Sequence, residues 1–204
     1  MTPLCELARK HACDKGGWHT LAGEHCHNYT PAYHELLGHR RETVKRVLEI
    51  GVHKGASLRM WEEYFPNAEI VGVDVDKSCL FNAGRIRCYY GDQNDERRLS
   101  KIAQREVLQF DLIVDDGSHR DVDQIRTAGA LLPYLAKGGV YVCEDLDYDC
   151  HAELIGTSVG RPIDTTVRYI NTGIGLGSAT RCSPRCSICR GTAGEKLIVW
   201  ERAA

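Results

Sequence analysis

"VKRVLEIGVHKGASLRMWEEYFPNAEIVGVDVD", residues 44–76, decides the fold. An apolar run stops at Gly51 and passes into a turn that holds a second glycine, Gly55. Leu58, Trp61 and Phe65 then recur along one helical face. A second apolar run, "AEIVGVDVD" (68–76), ends in acids. Strand, turn, helix, strand is one crossover unit, and such a unit joins parallel neighbours with a right-handed connection.

The alternation continues outward from it. "RIRCYYGD" reads as a third strand, "DERRLSKIAQRE" as a polar-faced helix and "FDLIVDD" as a fourth strand. "DVDQIRTAGALLPYLAKGG" puts Val122, Ile125, Leu132 and Leu135 at helical spacing, with Gly138 and Gly139 as a stop. "GVYVCEDLD" is a fifth strand, and "SCLFNAG" predicts a short helix before the third. The end differs: "DTTVRYINTG" (164–173) and "EKLIVWER" (195–202) are strands with no helix between them. The expected class is therefore α/β, a doubly wound, mostly parallel Rossmann-like sheet closed by an antiparallel hairpin. Residues 1–43, rich in His, Cys and Gly, read as a cap or lid; residues 44–204 form the main domain, with a Cys-rich loop at about 173–194.

Composition narrows the function classes. The 204 residues suffice for one domain with a sizeable core. A net charge of −2 supplies no basic field to recruit nucleic acid or an anionic membrane. No apolar run approaches the ~20 residues of a membrane span. "MTPLCELARKHACDKGG" has no long apolar core of a signal peptide, so a cytoplasmic location is expected. The expected partner is a small molecule, and self-association into a homo-oligomer is left open.

Ligands of such sheets sit beyond the carboxyl ends of the strands. Around "LEIGVHKGAS" (48–57), Gly51 and Gly55 allow close backbone approach, and Ser57 lies where a helix start offers amides. The spacing is G-x-x-x-G, not the G-x-G-x-x-G of a dinucleotide site. Asp74 ends the second strand, where an acid binds ribose hydroxyls, and Asp92 ends the third. Glu49, before the first glycine, suits a cationic ligand better than a pyrophosphate. A tight structural turn is the bland alternative.

"LEIGVHKGASLRMWEEYFPNAEIVGVDVD" resembles the cofactor motifs of class I S-adenosylmethionine-dependent methyltransferases. With "DKG", "HNYTPAYHELL", "DDGSH" and "EDL", the chain resembles a narrower set, the metal-dependent O-methyltransferases of macrolide sugars. Cephalosporin hydroxylase-like proteins share part of the pattern. The resemblance implies a seven-stranded sheet, S-adenosylmethionine as cofactor, and cofactor contacts from Glu49, Gly51, Asp74 and Asp92.

Asp115, Asp116 and His119 follow the fourth strand, while Glu144 and Asp145 follow the fifth. Neighbouring strands lie about 5 Å apart, so the acids converge at one edge. Carboxylates that close repel unless protonated or bound to a cation, and oxygen ligands favour Mg²⁺ first, then Mn²⁺. A histidine titrates near neutrality, so His119 could take a proton from an acceptor hydroxyl. The resemblance likewise makes Asp116 and Asp145 metal ligands and His119 the base. It places Asp115 on the cofactor side or its supporting loop. It also implies an acidic ligand from the segment before residue 44, where His34 stands with Glu35 beside it. Solvated, helix-capping carboxylates are the alternative for these acids. His27, Tyr29 and Tyr33 are read either as a polar substrate pocket or as a surface cap.

Cys182, Cys186 and Cys189 make a C-x3-C-x2-C cluster. Two readings stand: a structural Zn²⁺ site with a fourth ligand from Cys13, Cys26 or a histidine, or separate thiols in a loop. The leading functional expectation is a divalent-metal-assisted O-methyltransferase acting on a hydroxyl of a sugar or other polyol. Alternatives are a nicotinamide-dependent oxidoreductase, which lacks its Tyr-x-x-x-Lys here, a hydroxylase, and a non-catalytic module that binds through the Cys-rich loop.

Overall fold

A computed structural model describes residues 1–17, 27–106, 109–146, 155, 158–159, 165–171 and 196–204. The chain forms two compact units, Met1–Tyr90 and Gly91–Ala204.

In the first unit, strands β1 (Arg46–Ile50), β2 (Glu69–Asp74) and β4 (Ile86–Tyr90) pair in parallel in the order β4-β2-β1. The two-residue β3 (Asn82–Ala83) lies antiparallel on β4. All but the first residue of β1 are buried, as expected of a strand covered on both faces. Helix α3 (Ala56–Tyr64) makes the crossover from β1 to β2 and buries Leu58, Met60, Trp61 and Tyr64. Helix α1 (Pro3–His11) starts at Thr2, whose hydroxyl accepts from the Cys5 amide, with Pro3 in the first turn. It packs on α3 and on α2 (Thr30–Leu37). The described helices of the segment before residue 44, α1 and α2, are thus built into the helical layer of this unit. Tyr29 and Tyr33 are fully buried, and Tyr33 meets Trp61 edge-on at 5.0 Å. They are core residues, so for this pair neither the open-pocket nor the surface-cap reading holds.

The helix expected over "SCLFNAG" is instead a single 3-10 turn at Lys77–Cys79, followed by β3. The Asp76 carboxylate accepts from the Ser78 amide, and the chain is extended again at Leu80. So short a segment makes too few hydrogen bonds to offset helix nucleation.

The second unit holds α4 (Glu96–Arg105), β5 (Phe110–Asp115), α5 (Asp121–Leu131), β6 (Leu135–Cys143), β7 (Thr165–Asn171) and β8 (Lys196–Arg202). β5 and β6 are parallel; β8 pairs antiparallel with both β6 and β7. The terminal hairpin is therefore present. Among the described residues the strands are the seven expected plus β3.

Helix α5 ends at Leu131, not at Gly138. Pro133 follows in a 3-10 turn, and Leu135 already opens β6. Proline lacks the amide a helix needs and disfavours a helical residue before it. Val122, expected to face inward, is 57% exposed. The buried face carries Asp123, Gln124 and Thr127 beside Ala128 and Leu131. Hydrophobic spacing could not register a face that is half polar. No helix among the described residues is long and apolar enough to cross a membrane.

Candidate functional site

The turn after β1 belongs to the first unit. Gly51 and Gly55 both have positive φ, 94° and 72°. A Cβ on Gly55 would lie 2.4 Å from the Phe81 ring, so that glycine makes room for Phe81 as well as for the turn. The Asp74 carboxylate holds the turn: Oδ2 accepts from the amides of Val52 (2.7 Å) and His53 (3.1 Å), and Oδ1 from the Asp76 amide (2.8 Å). Each carboxylate oxygen can accept twice, so Asp74 keeps capacity for a ligand hydroxyl. Gly55 caps α3 without a side-chain acceptor, and Ser57 lies in the first turn, partly exposed.

Glu49 is fully buried at the end of β1. Its Oε2 accepts from the Trp61 indole N–H at 2.8 Å, and its Oε1 lies 3.2 Å from Nζ of Lys15, itself 1% exposed. The cation that Glu49 faces here is therefore the lysine of "DKG". The Lys15 backbone carbonyl in turn accepts from the amides of Tyr29 and Thr30, tying this segment to the start of α2.

The second turn, after β5, belongs to the other unit. Asp116, His119 and Asp145 each offer a ligand atom within 4.8 Å of the others. His119 Nδ1 lies 3.5 Å from Asp145 Oδ2. Both residues have φ of 57°, a left-handed conformation uncommon outside glycine. Two carboxylate oxygens and one imidazole nitrogen suit a small hard divalent ion; the imidazole makes Mn²⁺ as good a fit as Mg²⁺.

Asp115 is fully buried directly behind this group. Burial pushes its carboxyl up to about 7; donors from Tyr141, Gly117 and Gln93 oppose the rise, and Asp116 adds to it. Tyr141 donates to Oδ2 at 3.1 Å and Gln93 Nε2 to Oδ1 at 3.3 Å. Both its oxygens are thus bonded to buried side chains of the same unit. Burial also raises the Tyr141 hydroxyl, with Asp115 adding to the effect.

The remaining expected residues scatter. Asp92 is exposed and accepts from the Asn94 amide at 2.8 Å. Glu144 is buried; its amide donates to the Asp115 carbonyl, and its carbonyl accepts from Gln124 Nε2. His34 Nδ1 is hydrogen-bonded to the Tyr64 hydroxyl at 2.6 Å, and Glu35 is exposed on α2. Among the described residues the metal-competent group includes neither of these two, nor Glu144. Cys182, Cys186 and Cys189 lie outside the described residues.

No protein-family model matches the chain. Mycinamicin VI 2''-O-methyltransferase of Micromonospora griseorubida is 38% identical over 150 residues, 70% of this chain and 36% of the relative. Demethylmacrocin O-methyltransferase of Streptomyces fradiae is 40% identical over 151 residues, again 70% and 36%. The chain is homologous to these O-methyltransferases. It spans little more than a third of the length of either. The crystal structure of the MycE methyltransferase in complex with Mg, SAH and mycinamycin VI superimposes with a TM-score of 0.62 at 39% identity, covering 71% of this chain and 39% of that one. The O-methyltransferase homologue thus has the α/β class expected of it.

One buried residue beside the acidic turn is absent from the sequence expectations. Gln93, within "GDQND", is 7% exposed and bridges β5, the acidic turn and α5. Nothing in local spacing marks it. The only hint is a glycine in the "DDGSH" turn that must leave room for something.

Proposed function

We propose that this chain carries out S-adenosylmethionine-dependent O-methylation of a hydroxyl on a sugar or other polyol of a natural product, assisted by a divalent cation. The observation that carries the reading is the Asp116, His119 and Asp145 group, within 4.8 Å, in a homologue of sugar O-methyltransferases. Asp116 and Asp145 would hold the cation. A divalent ion held there would lower the pKa of a coordinated hydroxyl and orient it. S-adenosylmethionine supplies a methyl group whose loss leaves a neutral thioether.

The chain's own residues do the rest. His119, 42% exposed, would take the proton of the acceptor hydroxyl. Asp145 beside Nδ1 stabilises the imidazolium that results. Asp74 fixes the glycine turn whose backbone meets the cofactor, and Glu49 stays neutralised by Lys15. Positioning supplies most of the acceleration in such a displacement.

Calorimetry with S-adenosylhomocysteine and with Mn²⁺, on the wild type and Asp116→Asn, tests this. The expected outcome is binding of both by the wild type and loss of Mn²⁺ binding alone in the variant. A wild type that binds neither compound refutes the proposal. With a glycosylated polyketide acceptor, His119→Asn should lower turnover by roughly 10²–10⁴-fold.

A further inference from the structure

We propose that Gln93 is a positioning residue that clamps the acidic turn, and that Gly117 is glycine because of this clamp. The inference rests on the methyltransferase reading of that turn. The Ser118 backbone amide can only donate, and it lies 2.6 Å from Gln93 Oε1. That contact fixes which end of the side-chain amide is which. Nε2 must then donate, and it reaches Asp115 Oδ1 at 3.3 Å and Thr127 Oγ at 3.1 Å. The Thr127 hydroxyl proton goes to the Asp123 carbonyl, so its oxygen accepts from Gln93. One buried side chain therefore spans the end of β5, the turn and α5.

The turn is held twice at the same residue. Ser118 Oγ donates to Asp123 Oδ2 at 2.6 Å, and Asp123 also accepts from Arg120 Nε at 2.7 Å. Ser118 stands between Asp116 and His119, so fixing it sets the separation of a carboxylate and an imidazole of the same group. A Cβ on Gly117 would lie 2.1 Å from Gln93 Oε1. A free glutamine would swing aside, but this one is buried with both ends bonded. Moving it breaks the bond to the Ser118 amide.

Full-chain Gln93→Leu, Gly117→Ala, the double variant and Thr127→Val are compared by amide hydrogen exchange and Mn²⁺ calorimetry. Gln93→Leu should speed exchange at the Ser118 amide while Ile113 and Val114 in β5 stay protected. It should also raise the Mn²⁺ dissociation constant roughly 10- to 100-fold, as loss of a partner behind metal ligands does. Gly117→Ala should do the same, and the double variant should be no worse than Gln93→Leu alone. Thr127→Val, which keeps the Ser118 bond, should leave Mn²⁺ affinity near that of the wild type. Additive single effects, or a folded Gln93→Leu with wild-type Ser118 exchange or Mn²⁺ affinity, overturn the clamp. Should Gln93→Leu fail to fold, Gly117→Ala decides: unchanged Ser118 exchange there overturns it. A wild type that binds no Mn²⁺ sinks the metal reading, and Ser118 exchange then still decides the clamp.

Discussion

In the turn after β1, a carboxylate holds backbone amides; in the turn after β5, a side-chain amide holds a backbone that carries carboxylates. The first turn fixes its charges internally, Asp74 against amides and Glu49 against Lys15. The second keeps one acid buried and raised, Asp115, and leaves Asp116 and Asp145 partly exposed with His119. Both follow a parallel strand and open a helix. The difference lies in what the acids face. A turn that spends its acids on its own backbone presents amides and hydroxyl acceptors, suited to a nucleoside. A turn held by Gln93 and by the contacts of Ser118 and Arg120 with Asp123 leaves Asp116 and Asp145 in one group with His119.

The strongest way to break this contrast is at the buried pair of the first turn. Lys15→Met leaves Glu49 in the core without its cation and should cost about 3–5 kcal/mol in urea unfolding. Lys15→Met with Glu49→Gln should recover a large part of that loss, because the uncompensated charge is gone. A single-variant cost below about 1 kcal/mol would mean that Lys15 does not neutralise Glu49.

A cleaner separation comes from Asp74→Asn, which keeps one acceptor oxygen but removes the charge. Weakening charge-assisted bonds to three amides should lower S-adenosylhomocysteine affinity by roughly tenfold to a hundredfold. Mn²⁺ affinity should not move. Equal losses of both ligands would show that the two turns do not act independently.

The third test is a pH dependence without added divalent ion. Asp115 is raised to about 7 by burial, whereas an unfolded aspartate titrates near 3.9. Between those values the unfolded chain releases a proton that the folded chain retains, so folding loses stability as pH rises from about 4 to about 7 and levels off above. Asp115→Asn lacks this loss. Its stability relative to the wild type should therefore climb across that interval, by roughly 1–4 kcal/mol. A difference that is flat with pH would show that Asp115 is not the buried acid that titrates.

Much of this was legible in the sequence, for physical reasons. β1, β2, β5 and β6 are buried strands with apolar runs that stop at a glycine or an acid, so their ends and their payload could be read directly. Asp116, His119 and Asp145 sit next to those ends, and strand adjacency brought them together. The sequence was silent where side chains reach across long separations. Lys15 meets Glu49 from 34 positions away, and Gln93 meets Ser118 from 25. The polar buried face of α5 was unreadable because Asp123 and Thr127 look like solvent-facing residues until their partners are in place.

His119 and Asp145 share a left-handed backbone. Among residues with side chains, asparagine, aspartate and histidine tolerate that conformation best. Random substitution at either position therefore meets two filters at once. Most replacements strain the chain before their chemistry is ever tried, and, glycine apart, those that do not strain it are themselves metal-binding or hydrogen-bonding types. Drift at these two positions is confined to a small alphabet in which a lost ligand is one mutation from being regained.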